Sequence, residues 1–236
     1  MGNRINEVRI VFVTLLLVSF MLVSSCGGAK DSPDEPQYRL SKLEIVSQST
    51  GHTDIRQFYY DDSGHLLRRE EDKSGDGSVD SIWSYLHENG QMTELLVDSD
   101  NDGETNNRLI YLYTNEKLDR MTFKNINTGE LGTSQVMNYD GNNVTSMDLV
   151  DKVGNVTRTF SYKYNMDGLM ISEDYGDGSI TEQDYIFDQQ GRLFSIEIKF
   201  NSSDNSPGVI AYTYFEQGPC IVPEVKSFNR YHCSNK

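Results

Sequence analysis

The feature that most constrains the fold of this chain is a sequence repeat of about 26 residues. Each copy joins an aromatic residue to an Asp/Asn-rich turn that contains glycine, and an apolar residue follows the turn. The turns begin at Tyr60, Leu86, Tyr113, Tyr139, Tyr164, Phe187 and Tyr214. Copies spaced so regularly predict a repeat architecture in which neighbouring units stack and share one continuous core.

A second class of turn lies about halfway between these repeats. Segments such as KSGDGSVD and DNDGETN are rich in the Gly, Asn and Asp that tight hairpin turns require. A turn every ~13 residues leaves roughly 8 to 10 residues for each strand. The chain is therefore predicted to be all-β, with about 14 antiparallel strands in sequential hairpins, grouped as about seven repeats.

Between the turns, apolar and polar residues alternate with the period of a strand that buries one face. The predicted inward residues of three such strands are Phe160, Tyr162, Tyr164, Phe194, Ile196, Ile198, Phe200, Ile210, Tyr212 and Tyr214. A flat open sheet of this length is disfavoured, because large open sheets curl and free edges promote aggregation. The sheet is expected to curl into a wound sheet, an up-and-down barrel or two packed layers.

The pattern Y-x-Y-D-x-x-G-x-L, seen in FYYDDSGHL, resembles the YD repeats of the RHS family over roughly residues 56–220. The copies at Leu86 and Tyr113 depart from the pattern in register. The resemblance implies a long β-sheet ribbon wound on itself and a cell-surface context. This chain has no room for the enclosed toxin of large RHS proteins, so the resemblance concerns architecture and not toxin delivery.

The first 25 residues have the composition of a signal peptide. Arg4 and Arg9 precede an apolar run over residues 10–23, which is shorter than the ~20 residues of a bilayer span. The following Ser-Ser-Cys resembles the lipobox of bacterial lipoproteins. That resemblance implies cleavage before Cys26 and lipid on its thiol, and two or more acyl chains give a stable anchor. The alternatives are an ordinary secretory signal or an uncleaved signal anchor.

This interpretation divides the chain into a signal peptide (1–25), a lipidated cysteine with a flexible tether (26–37) and a repeat domain (38–236). Gly27 stands where an aspartate would signal retention at the inner membrane in enteric bacteria, which favours the outer membrane. With Cys26 lipidated, Cys220 and Cys233 remain, and an oxidising compartment favours a disulfide between them. A metal site is the competing interpretation, but only His232 lies nearby.

Two acidic turns are candidate calcium sites. Asp98, Asp100 and Asp102 alternate before Gly103, with Asn106 further on, and this resembles the first half of a calcium-binding loop. The copy 26 residues earlier places Asp72, Asp76 and Asp80 in the same register. The glutamate that would complete such a loop is missing from both copies. The alternative is that the Asp-Gly pairs form hairpin turns and the other acids serve solubility.

Charge and motifs limit the functional classes. The net charge of −15 repels nucleic acid and favours cations or basic partners. No catalytic motif emerges, so the predicted function is non-catalytic binding, adhesion or scaffolding at the cell envelope, with a protein or glycan ligand. A tyrosine-rich stripe is either a binding platform or core, and its members are Tyr111, Tyr113, Tyr162, Tyr164, Tyr185, Tyr212 and Tyr214. The alternatives are a hydrolase of envelope polysaccharide or peptide, an accessory subunit of an outer-membrane assembly, and a membrane-spanning barrel.

Overall fold

In the computed structural model of this protein, residues 38–189, 192–201, 208–217 and 233–234 are described. The predicted signal peptide, Cys26, the tether, Cys220 and the side chain of Cys233 lie outside these residues. The strands are β1 Tyr38–Ser47, β2 Thr53–Tyr60, β3 Leu66–Asp72, β4 Ser81–Glu88, β5 Gln91–Asp98, β6 Asn107–Thr114, β7 Lys117–Asn125, β8 Leu131–Asp140, β9 Asn143–Val150, β10 Val156–Tyr164, β11 Met170–Asp174, β12 Ile180–Phe187, β13 Leu193–Asn201, β14 Val209–Gln217 and β15 Cys233–Ser234.

The first 14 strands pair in sequence order, each antiparallel to the next. Strand β14 also pairs with β1, from Tyr38 opposite Gln217 to Ser47 opposite Val209, and this pairing closes the sheet. The predicted all-β fold is confirmed, and of the three forms considered the sheet takes that of an up-and-down barrel. The short strand β15 adds to the start of β1, beside Tyr38 and Arg39.

The barrel interior is filled by side chains. Leu95, Met147 and Ile198 are at most 1% exposed, and the inward residues of all the walls belong to one apolar cluster. Barrels of 16 to 18 strands leave an aqueous channel when their walls stay apart. Here the near-zero exposure of inward side chains means that opposite walls pack on one another, as in a sandwich.

The repeated tyrosine has a structural explanation. Its hydroxyl donates a hydrogen bond to the carbonyl of an apolar residue near the start of the preceding strand, about 20 residues earlier. The bonds are Tyr60 to Leu40 at 2.7 Å, Tyr139 to Leu118 at 2.7 Å and Tyr164 to Val144 at 2.8 Å. In the last repeat the Thr213 hydroxyl makes the equivalent bond to Leu193. In these four copies the repeat therefore ties a strand to the strand before it.

The repeat turns use the Asp and Gly of the pattern as predicted. In the first turn, the Asp61 carboxylate accepts a hydrogen bond from the His65 backbone N–H at 2.8 Å. Gly64 has a φ of 94°, a left-handed conformation that costs glycine little. Asn165 and Gly168 form the same arrangement after β10.

Because successive strands are antiparallel, their turns lie alternately at the two opposite ends of the barrel. The turns after even-numbered strands lie at the end that contains Tyr38 and Gln217, here called the terminal end. The turns after odd-numbered strands, which include both acidic turns, lie at the other end, here called the loop end. Within the described part of the chain, no helix has the length and apolarity needed to cross a membrane.

Two predictions of inward faces were wrong. Phe194 is 52% exposed, because it is the extra residue of a bulge opposite Ile186 and Phe187. Strand β14 turns Ala211 inward at 0% exposure and leaves Tyr214 41% exposed. Both faces of β14 are apolar enough to be buried, so its register with β13 and β1 decides which face points inward. The faces predicted for Phe160, Tyr162, Ile196 and Ile198 are confirmed.

Candidate functional sites

The second acidic turn, between β5 and β6, brings three of its four predicted residues together. Carboxylate oxygens of Asp98, Asp100 and Asp102 lie within 4.8 Å of one another. The Asp98 carboxylate also accepts a hydrogen bond from the backbone N–H of Gly103 at 2.9 Å. Slight desolvation raises the pKa of Asp98, but its backbone hydrogen bonds lower it further, and the net shift is downward.

The remaining predicted ligands are turned toward their own loops. Asn106 accepts hydrogen bonds through Oδ1 from the backbone and hydroxyl of Ser99. Asp72 accepts from the Gly75 and Gly77 backbone N–H groups at 2.6 and 2.8 Å. These contacts are those of structured turns.

The first acidic turn is ordered in the same way. Asp76 accepts from the backbone N–H of Ser78, and Asp80 accepts from that of Lys73. Among the described residues, only Asp98, Asp100 and Asp102 form an acidic group close enough to share one ion. Calcium binding at that turn stays a prediction.

Sequence reasoning missed a charged cluster inside the barrel, formed by β2 and β3. Arg56 and Arg69 are 1% and 0% exposed, and Glu71, at 4%, lies between them. Glu71 Oε1 is 2.8 Å from Arg69 Nη2 and 3.6 Å from Arg56 Nε. Arg56 also makes two hydrogen bonds to the Asp54 carboxylate, at 2.8 and 3.1 Å. The sequence held a signal for this cluster, because strand alternation places Arg56 on the same face as the apolar Phe58 and so points Arg56 toward the core.

An aromatic ring packs against this cluster. The Arg69 guanidinium lies 3.8 Å from the ring centroid of Trp83, a cation–π contact. Burial raises the pKa of Glu71, but the neighbouring Arg69 and Arg56 lower it further, to about 2. Glu71 is therefore an ionised carboxylate held between two guanidinium groups at neutral pH.

A second buried acid lies elsewhere in the interior, on β11. Glu173 is 1% exposed, and its Oε2 accepts a hydrogen bond from the Tyr175 hydroxyl at 2.9 Å. Burial raises the pKa of Glu173 to about 7, although the bond from Tyr175 lowers it in part. No cation and no second carboxylate among the described residues contributes to this shift.

The outer surface carries an aromatic cleft at the terminal end. Strand β13 pairs with β14 only from Ser195 to Ile198, whereas β14 continues to Gln217 alongside β1. The two strands therefore diverge, and a cleft of about 470 Å³ lies beside them. Its lining residues are Glu44, Asp188, Arg192, Leu193, Phe194, Tyr212, Thr213, Tyr214 and Phe215. This volume is within the ~300–1,000 Å³ typical of ligand sites.

The charged groups of the cleft are paired within its wall. The Tyr214 hydroxyl donates to Glu44 at 2.8 Å, and Lys42 Nζ donates to the same carboxylate at 2.6 Å. The hydrogen bond from Lys42 lowers the pKa of Glu44. Arg192 Nε donates to Asp188 at 2.8 Å. The cleft thus offers exposed aromatic rings beside charged groups that neutralise one another.

The tyrosine stripe divides between core and surface. Tyr111 and Tyr162 are buried, and Tyr113, Tyr164 and Tyr185 are partly buried against the core. Tyr212 and Tyr214 line the cleft on the outer face. Most of the stripe is therefore core, and the part that faces solvent lies on the strand whose orientation the alternation did not determine.

Comparison with known proteins gives structural likenesses alone. No family model matches the chain, and no curated protein matches it. A porin-like protein from Bacteroides uniformis is similar, with 12% identity, coverage of 77% of this chain and 96% of that chain, and a TM-score of 0.48. A porin-like protein from Bacteroides vulgatus has 10% identity, covers 75% of this chain and 98% of its own length, and has a TM-score of 0.45. The match to TcdB2-TccC3 has 14% identity, covers 70% of this chain and 10% of that chain, and has a TM-score of 0.29. These likenesses assign no function to this chain.

Proposed function

We propose that this protein is a non-catalytic binding module of the bacterial cell envelope, held to a membrane by lipid on Cys26. The observation that carries the binding role is the exposed aromatic cleft at the terminal end. Phe194 is 52% and Tyr214 is 41% exposed there, beside a concave wall. Exposed aromatic residues in a cleft favour a ligand, because they gain most when water is excluded from their rings.

The arrangement of carboxylates favours binding over hydrolysis. A glycoside hydrolase needs a pair of carboxyl groups in one site, one of them with a raised pKa. Glu173 has the raised pKa, but it lies in the core. In the cleft, Glu44 has a lowered pKa and accepts bonds from Lys42 and Tyr214.

The outer face of the strands favours contact with water. Arg108 pairs with Glu94, and Lys199 pairs with Asp184 at 2.7 Å, on outward positions of β5, β6, β12 and β13. A membrane-spanning barrel carries an apolar band at such positions, where Lys or Arg at mid-membrane costs about 2–4 kcal/mol. A lipid anchor is the attachment that suits a barrel with this surface.

The lipid anchor is tested by the replacement Cys26→Ser. We expect the variant to lose palmitate labelling, because the thiol that would carry the acyl chains is gone. Cys220→Ser is the matched control and should keep the label. Labelled Cys26→Ser protein would contradict lipid anchoring at this residue.

The binding role is tested by the double replacement Phe194→Ala and Tyr214→Ala. We expect binding to purified cell-wall polysaccharide or to envelope protein preparations, measured by titration calorimetry, to weaken by about 30-fold or more, as for buried aromatic anchors. Leu86→Ala with Leu112→Ala removes similarly exposed side chains from β4 and β6 and should leave binding unchanged. Equal losses in both variants would contradict the cleft, and release of sugars or peptides by the intact protein would favour the hydrolase.

A further inference from the structure

The charged cluster inside the barrel has more hydrogen-bond donors than acceptors. Arg69 Nε and Nη1 and Arg56 Nη1 are buried and have no hydrogen-bond partner among the described residues. Among the described residues the Tyr111 hydroxyl is also buried and unpartnered, and the buried Tyr85 hydroxyl has only Arg69 as a partner, which leaves its own hydrogen without an acceptor. Tyr85 lies close enough to interact electrostatically with both arginines, and Tyr111 with Arg69 and Tyr85.

Donors of this kind are not tolerated in a stable core without an acceptor. An unpartnered buried donor loses its hydration and gains nothing in return, and the loss is larger when the donor is charged. Three guanidinium nitrogens and two hydroxyls therefore require an acceptor that no described residue supplies. A tyrosine hydroxyl that accepted a bond from Arg69 would still need a partner for its own hydrogen.

The charges of the cluster are compatible with an anion. Arg56 and Arg69 face the carboxylates of Asp54 and Glu71, so the buried charges balance. Lys73 Nζ lies 4.0 Å from Glu71 Oε2 at the edge of the cluster, and its side chain is 49% exposed. The excess of buried donors, and not the net charge, is what favours an acceptor.

We propose that the interior of the barrel binds one small monovalent anion of halide size, with chloride as the physiological ion, between Arg56, Arg69, Tyr85 and Tyr111. An anion accepts several hydrogen bonds and donates none, so it suits a site whose unpartnered groups are donors. A water molecule accepts at most two bonds and brings two further donors that need partners.

The experiment uses bromide as the probe, on the intact protein. Crystals grown in sodium bromide should show an anomalous difference peak within hydrogen-bonding distance of Arg69 and a tyrosine hydroxyl. In solution at constant ionic strength, replacing gluconate with bromide should raise the unfolding midpoint by about 3–6 °C at a tenfold excess over the dissociation constant.

The replacement Tyr111→Phe separates an anion from an unfilled or water-filled site. If the hydroxyl donates to an anion, the variant should lose most of the bromide-dependent rise. If the hydroxyl is unpartnered, its removal should raise the midpoint and leave the bromide response unchanged. Tyr139→Phe is the matched control, since its hydroxyl donates to the Leu118 carbonyl, and it should lower the midpoint equally in both salts. No anomalous peak, or an unchanged response in Tyr111→Phe, would overturn the proposal.

Discussion

Replacing Glu71 with glutamine is expected to lower the free energy of unfolding by about 3–5 kcal/mol, the largest effect of any single replacement considered for this barrel. Glu71 is the only carboxylate that contacts both Arg56 and Arg69 among the described residues. A neutral amide in its place leaves two guanidinium groups with too little negative charge in a region from which water is excluded. Uncompensated buried charge is one of the few causes of such large losses.

The measurement is chemical denaturation at neutral pH, with Glu70→Gln as the matched control. Glu70 is the adjacent residue, but it points outward and pairs with Arg68 on the surface, so its loss should cost less than about 1 kcal/mol. A cost for Glu71→Gln as small as that of Glu70→Gln would show that the interior charges are not dehydrated.

The pH dependence of the Glu71 contribution has a definite sign. Its folded pKa of about 2 is below its ordinary value of 4.5. The stability it contributes is therefore present above about pH 4.5 and is lost as the pH falls toward 2. The difference in stability between the parent protein and Glu71→Gln should shrink over that interval.

The buried acid on β11 is expected to produce the opposite pH dependence. Glu173 has a folded pKa of about 7 against an ordinary value of 4.5. The folded protein therefore keeps a proton that the unfolded chain releases. This contribution is fully present below about pH 4.5 and is lost as the pH rises through 7. Over that interval it amounts to about 3 kcal/mol.

Glu173→Gln should remove this loss, because the amide stays neutral at every pH and its oxygen can still accept the Tyr175 hydroxyl. In denaturant titrations between pH 4.5 and 8, the free energy of unfolding of the variant should rise relative to that of the parent protein as the pH rises. Glu182→Gln, an exposed replacement on the neighbouring strand, should follow the parent protein throughout. A stability difference between Glu173→Gln and the parent that does not change with pH would mean that Glu173 ionises in the core without cost.

Much of the fold could be predicted from the sequence because strand pairing here is local. Each strand pairs with the next one along the chain, so turn spacing and period-two alternation determine most of the sheet. In β10, the alternation placed Phe160 and Tyr162 in the core, and both are buried. The three aspartates of the β5–β6 turn were also grouped correctly, because they lie within five residues of one another.

The parts that could not be predicted depend on the register of strand pairing, which the alternation within one strand does not specify. The alternation of β14 allows either face to be buried, and its register with both neighbours, β13 and the distant β1, places Ala211 inside and Tyr214 outside. The bulge at Phe194 shifts one residue and so reverses the face that this residue occupies. The cleft results from the register of β14 together with the bulge at Phe194, so sequence reasoning did not locate it.

The pairing of β1 with β14 also determines when folding can finish. Tyr38 and Gln217 are partners from opposite ends of the repeat domain, whereas the other pairings among β1 to β14 join neighbours in sequence. A chain that folds from its first residues onward can thus build its hairpins one after another, but it keeps two open edges until the last long strand arrives. Such edges are sites of aggregation, and contacts of long sequence separation form late. The last repeat therefore completes the hydrogen bonding of the first.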